Sequence, residues 1–180
     1  MLRYQRVATG LRYSQRRLKV SRSELFFDCL QSHLGRLCIV YTEEDGTPVL
    51  LRITFGKPTV KARKRTLSEE ITRQFQGYLK GESREFSLRY RLEGTEFEKQ
   101  VWQLTASIPY GETRTYKWIS ERLNKPGSVR AVGQALKKNP LPLVIPCHRV
   151  IQSDGDIGGY SSGVEIKRRL LEMEYYNSRG

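Results

Sequence analysis

The chain has 180 residues, of which 38% are hydrophobic and 28% charged, and its formal net charge is +13. This composition excludes a disordered chain, and no apolar run approaches the ~20 residues that a membrane-spanning helix needs. The size predicts two compact units. The 32 Lys and Arg residues against 19 Asp and Glu favour a polyanionic partner such as nucleic acid, although a basic surface kept for solubility would give the same counts.

Residues 1–22 are strongly basic, with seven Lys or Arg and no acidic residue. A basic arm that binds nucleic acid and an organellar targeting segment both have this composition, and the sequence leaves the two open. No secretory signal is evident, and the three cysteines have no framework spacing, which predicts free thiols in a reducing compartment. We therefore expect an intracellular protein, in the cytoplasm or, in a eukaryote, in the nucleus.

Residues 23–91 form the first predicted domain. Three runs rich in Val, Ile, Leu and Phe, namely ELFFDCLQS, RLCIVYTEE and VLLRITF, are separated by the turns HLG and DGTP and predict an antiparallel meander. A basic loop over residues 56–65 follows. A capping box from Thr66 to Glu69 would then open a helix that packs on the sheet. The apolar positions of this helix recur at helical spacing: Leu67, Ile71, Phe75 and Tyr78.

Residues 92–180 form the second predicted domain, which is mainly helical. A capping box from Thr95 to Glu98 opens its first helix. The expected apolar stripe of that helix is Phe97, Val101, Leu104 and Ile108. Two short helical segments follow, TYKWISERLN and VRAVGQALKKN, and the tight Pro-Gly turn between them gives the proportions of a helix-turn-helix.

The second of these short helices has three kinds of face. Val129, Val132 and Leu136 fall on one side at helical spacing and predict its buried stripe. The opposite side is polar and basic: Arg130, Gln134, Lys137 and Lys138. The remaining positions are small: Ala131, Gly133 and Ala135. Because glycine weakens a helix, a small face indicates close approach of another helix or of a nucleic-acid backbone.

The segment IPCHRV, residues 145–150, places Cys147 beside His148 after a proline. Adjacent side chains diverge, so the pair alone indicates only a loop cysteine with a chance neighbour. The last predicted helix supplies a further observation, because Glu174 falls on its apolar face with Ile166 and Leu170. A buried carboxylate needs a partner. His148 is a better candidate than His33, which lies in a predicted turn, and a Glu-His-Cys relay could activate the thiol. The alternative is a surface glutamate bound to an arginine.

Four segments, PYGETRTY, RAVGQALKKNP, PCHRV and GGYSSG, together resemble the O6-alkylguanine-DNA alkyltransferases, also called methylated-DNA-protein-cysteine methyltransferases. The resemblance extends from about Thr95 to Glu174, whereas residues 24–90 match only in layout. It implies an α+β chain with a ribonuclease-H-like N-terminal domain and a winged-helix-like C-terminal domain. The implied partner is double-stranded DNA carrying O6-alkylguanine, with O4-alkylthymine left open, and the implied protein is a monomer that needs no cofactor and reacts once.

The resemblance implies a role for each residue around the cysteine. Cys147 would accept the alkyl group, His148 would take the thiol proton, and Glu174 would stand behind the imidazole. Asn139 would brace the turn that carries the cysteine. Tyr116 would protonate the leaving guanine and contact a neighbouring phosphate.

The resemblance also implies a DNA-binding surface and a pocket for the damaged base. Arg130 would enter the base stack through the minor groove and hold the space of the flipped nucleotide. The other expected DNA contacts are Ala131, Gly133, Gln134 and Lys137. The expected pocket residues are Val150, Tyr160, Ser161 and Pro142, and the backbone carbonyls of Cys147 and Val150 would accept from the amine of guanine.

Some members of the family carry a structural zinc in the N-terminal domain. Here Cys29, His33 and Cys38 could supply three ligands, but a fourth is not evident and their spacing matches no zinc signature, so we expect no metal. Two other classes of function remain open from the residues themselves. One is a helix-turn-helix regulator in which the cysteine is incidental, and the other is a cysteine hydrolase that uses the same Cys-His pair.

Overall fold

The structure is a computed structural model that describes residues 24–58 and 60–179. The predicted basic arm, residues 1–22, lies outside the described residues. The chain divides into two compact units between Leu92 and Glu93. Over the described residues, the first unit holds a five-stranded sheet and one helix, and the second holds four helices, a two-stranded sheet and one 3-10 turn.

Three antiparallel strands form the centre of the first unit, as predicted. They are β1 (Phe26–Ser32), β2 (Gly35–Glu44) and β3 (Thr47–Phe55). The turn between β2 and β3 consists of Asp45 and Gly46, whose φ angles of 52° and 71° are both positive. Such a two-residue turn matches the twist of the strands that it joins, which is why an Asp-Gly pair marks a hairpin in the sequence.

The edges of this sheet differ from the predicted antiparallel arrangement. A two-residue strand, β4 (Arg63–Lys64), pairs parallel with β1, and another, β5 (Arg89–Tyr90), pairs parallel with β3. The strand order is therefore β4-β1-β2-β3-β5. A two-residue strand is too short for an alternating pattern, so a basic loop gave no signal of the pairing.

The helix of the first unit, α1 (Glu69–Leu79), begins later than predicted. Its N-cap is Ser68, whose hydroxyl accepts from the Ile71 N–H at 3.4 Å, so the capping box from Thr66 to Glu69 is wrong. The buried side of the helix is as expected: Ile71, Phe75 and Tyr78. Leu67 is also buried but precedes the cap. It lies at helical spacing from Ile71, so the sequence pattern placed the start of the helix too early.

Cys29 and Cys38 form a disulfide between β1 and β2, so the prediction of free thiols is wrong for these two residues. They are directly opposed in the hairpin, and the register that brings them together cannot be read from cysteine spacing. A disulfide sulfur is not a thiolate ligand. Within residues 24–58 and 60–179, no group of three or more His, Cys, Asp or Glu could hold a metal ion. His33 lies in the turn of this hairpin.

The second unit begins with α2 (Glu96–Ala106), and the predicted capping box at its start is confirmed. The Thr95 N–H donates to the Glu98 carboxylate at 2.8 Å, and the Glu98 N–H donates to the Thr95 hydroxyl at 3.3 Å. The expected apolar stripe is only partly right, because Phe97 and Leu104 are half-buried. The buried face of the helix is instead Glu98, Val101, Trp102, Thr105 and Ala106.

The predicted helix-turn-helix segments form α3 (Tyr116–Arg122) and α4 (Val129–Lys137). The Trp102 indole N–H donates to the Ala135 carbonyl at 2.8 Å and ties α2 to α4. Val132, Ala135 and Leu136 are buried, but Val129 is 39% exposed and does not belong to the buried stripe. It is the first residue of α4, and a side chain at the end of a helix meets fewer neighbours than one in its middle.

The remaining elements carry the cysteine. A 3-10 turn (Cys147–Arg149) leads into β7 (Val150–Ile151), which pairs parallel with β6 (Arg114–Thr115), and α5 (Val164–Ser178) ends the unit. Since β6 runs directly into Tyr116 and β7 follows the 3-10 turn that begins at Cys147, this short pairing brings two distant candidate residues to one place. No helix in the described part of the chain is both long and apolar enough to span a membrane.

Candidate functional site

Cys147 lies in a segment that is buried throughout from Leu141 to Val150. The Asn139 side chain holds this segment at three points. Its amide Nδ2 donates to the Ile145 carbonyl at 2.8 Å and to the Cys147 Sγ at 3.0 Å, and its Oδ1 accepts from the Leu141 N–H at 2.9 Å. Asn139 thus connects the start of this segment to the cysteine.

His148 and Glu174 are in contact, as predicted from the position of Glu174 on α5. His148 Nε2 lies 2.7 Å from Glu174 Oε1, and neither residue is more than 1% exposed. An ionised carboxylate only accepts hydrogen bonds, so a neutral imidazole bonded to it carries its proton on Nε2. The lone pair of the ring is then on Nδ1, which is the nitrogen able to take a proton.

Arg149 is the main residue of this network that the sequence did not assign. It is 5% exposed, and its guanidinium donates two hydrogen bonds to Glu174, from Nε to Oε2 at 2.8 Å and from Nη2 to Oε1 at 2.9 Å. Its Nη1 donates to the Ile108 carbonyl at 2.6 Å, and the Gly111 N–H donates to Glu174 Oε2 at 3.0 Å. The alternative of a surface glutamate is therefore wrong, although the arginine that it invoked is present.

The pKa values of the pair follow from these contacts. Burial would raise the pKa of Glu174, but the neighbouring His148 and Arg149 outweigh it and hold that pKa well below its ordinary value. Burial lowers the pKa of His148, and the attraction of Glu174 offsets only part of the fall. The site therefore combines a carboxylate with a neutral imidazole.

Lys167 is a second buried charge near the cysteine, and the sequence reasoning missed it. Its side chain is fully buried, and its Nζ donates to the Val150 carbonyl at 2.7 Å and lies 6.0 Å from the centroid of the Tyr116 ring. Burial lowers the pKa of Lys167 to about 8. A signal existed, because Lys167 precedes Leu170 by three residues and Glu174 by seven and so shares their face of α5.

The Cys147 thiol experiences opposing influences. Burial raises its pKa, while hydrogen bonds from the Asn139 amide and the Tyr160 hydroxyl and the positive charge of Lys167 offset part of the rise. A thiol in this setting needs a base when it reacts, because only the thiolate is a good nucleophile. The surroundings supply groups that stabilise the sulfur anion, namely Asn139, Tyr160 and Lys167.

A cavity of about 330 Å³ opens beside the cysteine. It is lined by Tyr116, Gly133, Leu136, Lys137, Cys147, Gly159, Tyr160 and Ser161. Five of the residues predicted for the DNA surface, the pocket or proton transfer thus meet the cysteine at one cavity. Two expected pocket residues, Val150 and Pro142, are buried and do not line it. The Val150 carbonyl already accepts from Lys167.

The exposed side of α4 borders this cavity. Arg130, Ala131 and Gln134 are exposed on the helix that presents Gly133 and Lys137 to the cavity. The next basic residue, Lys138, pairs instead with Glu98 on α2 at 2.6 Å. A polyanion lying along α4 would therefore meet a basic helix face with the cysteine cavity at its side.

Comparison with known proteins decides the family. A family model described as "6-O-methylguanine DNA methyltransferase, DNA binding domain" matches residues 96–176. A methylated-DNA--protein-cysteine methyltransferase of Methanosarcina barkeri is 39% identical over 160 residues, which are 86% of this chain and 100% of that protein. This chain belongs to the methylated-DNA-protein-cysteine methyltransferase family. The resemblance drawn from the four sequence motifs is confirmed.

Other methyltransferases of the family agree in sequence and fold. One from Methanosarcina acetivorans is 47% identical over 105 residues, which are 58% of this chain and 67% of that protein. The crystal structure of Mycobacterium tuberculosis OGT in complex with DNA has a TM-score of 0.76 and 34% identity, covering 84% of this chain and 94% of that one. The O6-methylguanine-DNA methyltransferase of Pyrococcus kodakaraensis has a TM-score of 0.61 and 29% identity, covering 83% and 98%. The chain shares the mixed α+β fold of these methyltransferases.

Proposed function

We propose that this protein repairs DNA by direct reversal, moving the alkyl group of O6-alkylguanine in duplex DNA onto its own Cys147, once per molecule. The observation that carries the proposal is the position of Cys147, the free cysteine of the described chain. It lines a cavity at the basic helix α4, and the next residue, His148, pairs with the buried Glu174. A helix-turn-helix regulator would need none of this buried machinery.

The chemistry requires the damaged base to leave the stack. The O6 substituent is out of reach inside a duplex, and extruding the nucleotide costs a few kcal/mol of unstacking. The Cys147 sulfur then attacks the alkyl carbon, the bond from that carbon to O6 breaks, and its electron pair stays with guanine. The thiol proton passes to His148 and a proton is supplied to the guanine, so the products are S-alkylcysteine and guanine. The thioether has no easy route to hydrolysis, which makes the protein a single-turnover reagent.

The relay assigns one task to each member. Glu174 holds the proton of His148 on Nε2, and Nδ1 takes the proton of Cys147, directly or through a water. The Asn139 amide orients the sulfur and stabilises its negative charge. Tyr116 donates the proton to the departing guanine. Burial and the nearby cysteine raise the pKa of its hydroxyl, so the group holds this proton until negative charge develops on the base.

The cavity and α4 receive the DNA. Tyr160 and Ser161 contact the flipped base, and Arg130 fills the space that this base leaves. The basic side chain of Lys137 and the exposed side chain of Gln134 contact the backbone of the DNA. Entry through the minor groove suits this arrangement, because that groove carries a degenerate code and the protein must find damage in any sequence.

The finer features of the fold and setting belong to the same proposal. Residues 23–91 are a ribonuclease-H-like domain and residues 92–180 a winged-helix-like domain, and the β6–β7 pair beside α3 and α4 supports the second assignment. The protein works inside the cell as a monomer without a cofactor. Residues 1–22 serve either as a DNA-binding arm or as a targeting segment.

The test is to incubate the purified protein with a duplex containing O6-methylguanine and to map methyl groups onto its peptides by mass spectrometry. We expect methylation of the Cys147 peptide and restoration of guanine in the DNA. A Cys147→Ser variant is the matched control and leaves the lesion intact. Absence of the methyl group from Cys147 in the native protein would sink the proposal, and repeated turnover would favour a hydrolase.

A further inference from the structure

Arg149 is a buried cation that the proposed reaction does not use. Its three hydrogen bonds to side chains and backbone leave the guanidinium almost fully covered, and its carbon lies 5.5 Å from the centroid of the Tyr110 ring. Burying a permanent charge is expensive even when it is paired. A role confined to tying loops together could be filled by apolar packing, so the charge itself requires an explanation.

Arg149 and His148 compete for the same carboxylate. Glu174 Oε1 lies 2.7 Å from the His148 Nε2 and 2.9 Å from the Arg149 Nη2, while Oε2 accepts from the Arg149 Nε at 2.8 Å. The guanidinium remains charged at every accessible pH, so the Arg149-Glu174 pair is neutral overall. An imidazolium at His148 is therefore attracted less than it would be by an unshared carboxylate.

The other charges around the pair act in the same direction. Lys167, on α5, repels an imidazolium at His148 and stabilises a thiolate at Cys147. Tyr116 on α3 faces the cysteine. Arg149 also repels an imidazolium at His148, and it bonds the same carboxylate oxygen as the imidazole. The arginine therefore acts on the base of the relay through its charge and through its contact with Glu174.

We propose that Arg149 is a positioning residue that holds Glu174 in place and restrains transfer of the Cys147 proton to His148. The inference rests on the proposed function, in which Cys147 is spent after one reaction. A protein that reacts once benefits when its thiol ignores other electrophiles until a base enters the cavity. Restraint of the proton transfer provides that protection.

The test measures alkylation of Cys147 by iodoacetamide at neutral pH in the absence of DNA, with mass spectrometry to locate the adduct. In Arg149→Met the carboxylate serves only His148, so we expect the rate to rise roughly tenfold over the native protein. Glu174→Gln removes the opposite charge from the same contact and should lower the rate. Arg149→Lys keeps the cation without the two-point contact to Glu174, so its rate should fall between those of the native protein and Arg149→Met.

These variants separate electrostatics from loosening of the site. Faster labelling in both Arg149→Met and Glu174→Gln would mean that each merely opens the structure, and it would overturn the proposal. An unchanged rate in Arg149→Met, or an Arg149→Lys variant that behaves like Arg149→Met, would also overturn it. Because no DNA is used, failure here is distinct from failure of methyl transfer to Cys147.

A second measurement needs no change at Arg149, in case the methionine variant does not fold. The chain has only two histidines, so ¹⁵N-labelled imidazoles give two sets of NMR signals, and His33→Gln identifies those of His148. We expect a neutral His148 with its proton on Nε2 at neutral pH. A charged imidazolium at that pH would contradict the restraint that we assign to Arg149.

Discussion

Three charged side chains with almost no exposure lie in the unit that carries Cys147, and they differ in how far the sequence predicted them. Glu174 was evident because a carboxylate broke the apolar face of α5. Lys167 occupies the same face but was overlooked, since a long basic side chain is ordinarily read as reaching solvent. Arg149 belongs to the IPCHRV segment, but the sequence assigned no partner to it. Buried charges are therefore predictable by periodicity on a helix and much less so in a turn.

Replacing Glu174 by Gln tests the ion network through stability. Because the folded-state pKa of Glu174 is held below its ordinary value of 4.5, its carboxylate contributes stability above that pH and loses it as the pH falls through the folded-state pKa. Breaking a buried pair costs about 3–5 kcal/mol. We expect urea unfolding to show this loss at neutral pH and a shrinking difference from the native protein in acid. A difference independent of pH would contradict the pairing.

Replacing Lys167 by Met tests whether a buried cation is kept for chemistry. With its pKa lowered from 10.5 to about 8, the folded protein binds fewer protons than the unfolded chain between those pH values. The lysine therefore costs stability below pH 8, and this cost disappears as the pH rises towards 10.5. We expect Lys167→Met to match or exceed the native melting temperature at neutral pH while methyl transfer slows at least roughly tenfold. A variant that is less stable than the native protein but transfers the methyl group at the native rate would show that the lysine is kept for stability and not for chemistry.

At the scale of elements, the sequence predicted most of what local patterns determine, the N-cap of α1 excepted, and missed what partners determine. The hairpin turns and the capping box at Thr95 depend on residues close in the chain and were found. The opposition of Cys29 and Cys38 depends on strand register, and the exposure of Val129 depends on tertiary packing at the start of α4. Propensity and spacing carry no information about either.

The helix α4 offers a test of why glycine stands at position 133. A methyl group there would lie 3.9 Å from the Tyr116 ring, an ordinary contact, so Gly133→Ala is compatible with the fold. Removing a helix-interior glycine should raise the free energy of unfolding by about 1 kcal/mol. The added carbon narrows the cavity, so transfer should slow more for O6-benzylguanine than for O6-methylguanine in duplex DNA. If the substitution slows transfer by the same factor for both lesions, the glycine is not kept for space.

At the scale of the whole molecule, the positive charge is unevenly distributed. The segment 1–22 contributes seven of the net thirteen charges, since it has seven basic and no acidic residues. If this segment binds DNA, its removal reduces the number of phosphates neutralised and therefore the dependence of affinity on salt. We expect deletion of residues 1–22 to flatten a plot of log affinity against log salt. An unchanged slope would favour the targeting role.

The sequence predicted the reactive residues of the molecule better than it predicted the pairing of its strands. Cys147, His148, Asn139 and Tyr116 come from three segments that resemble one family, and the structure brings all four residues around one cavity and its adjoining relay. The parallel edges of the sheet and the disulfide of the first unit lay beyond any motif. Motifs preserve the residues that react, whereas register and edge pairing emerge from packing along the whole chain.

The central claim is a single alkyl transfer to Cys147, and its most direct measurement is the number of methyl groups gained per protein molecule. The protein is mixed with an excess of duplex containing O6-methylguanine until the reaction stops, and intact mass and peptide mapping count and locate the methyl groups. The account predicts one methyl group per molecule, on Cys147, with an equal amount of guanine restored in the DNA. Restoration of more guanine than protein, or a methyl group on any other residue with Cys147 unmodified, would contradict it.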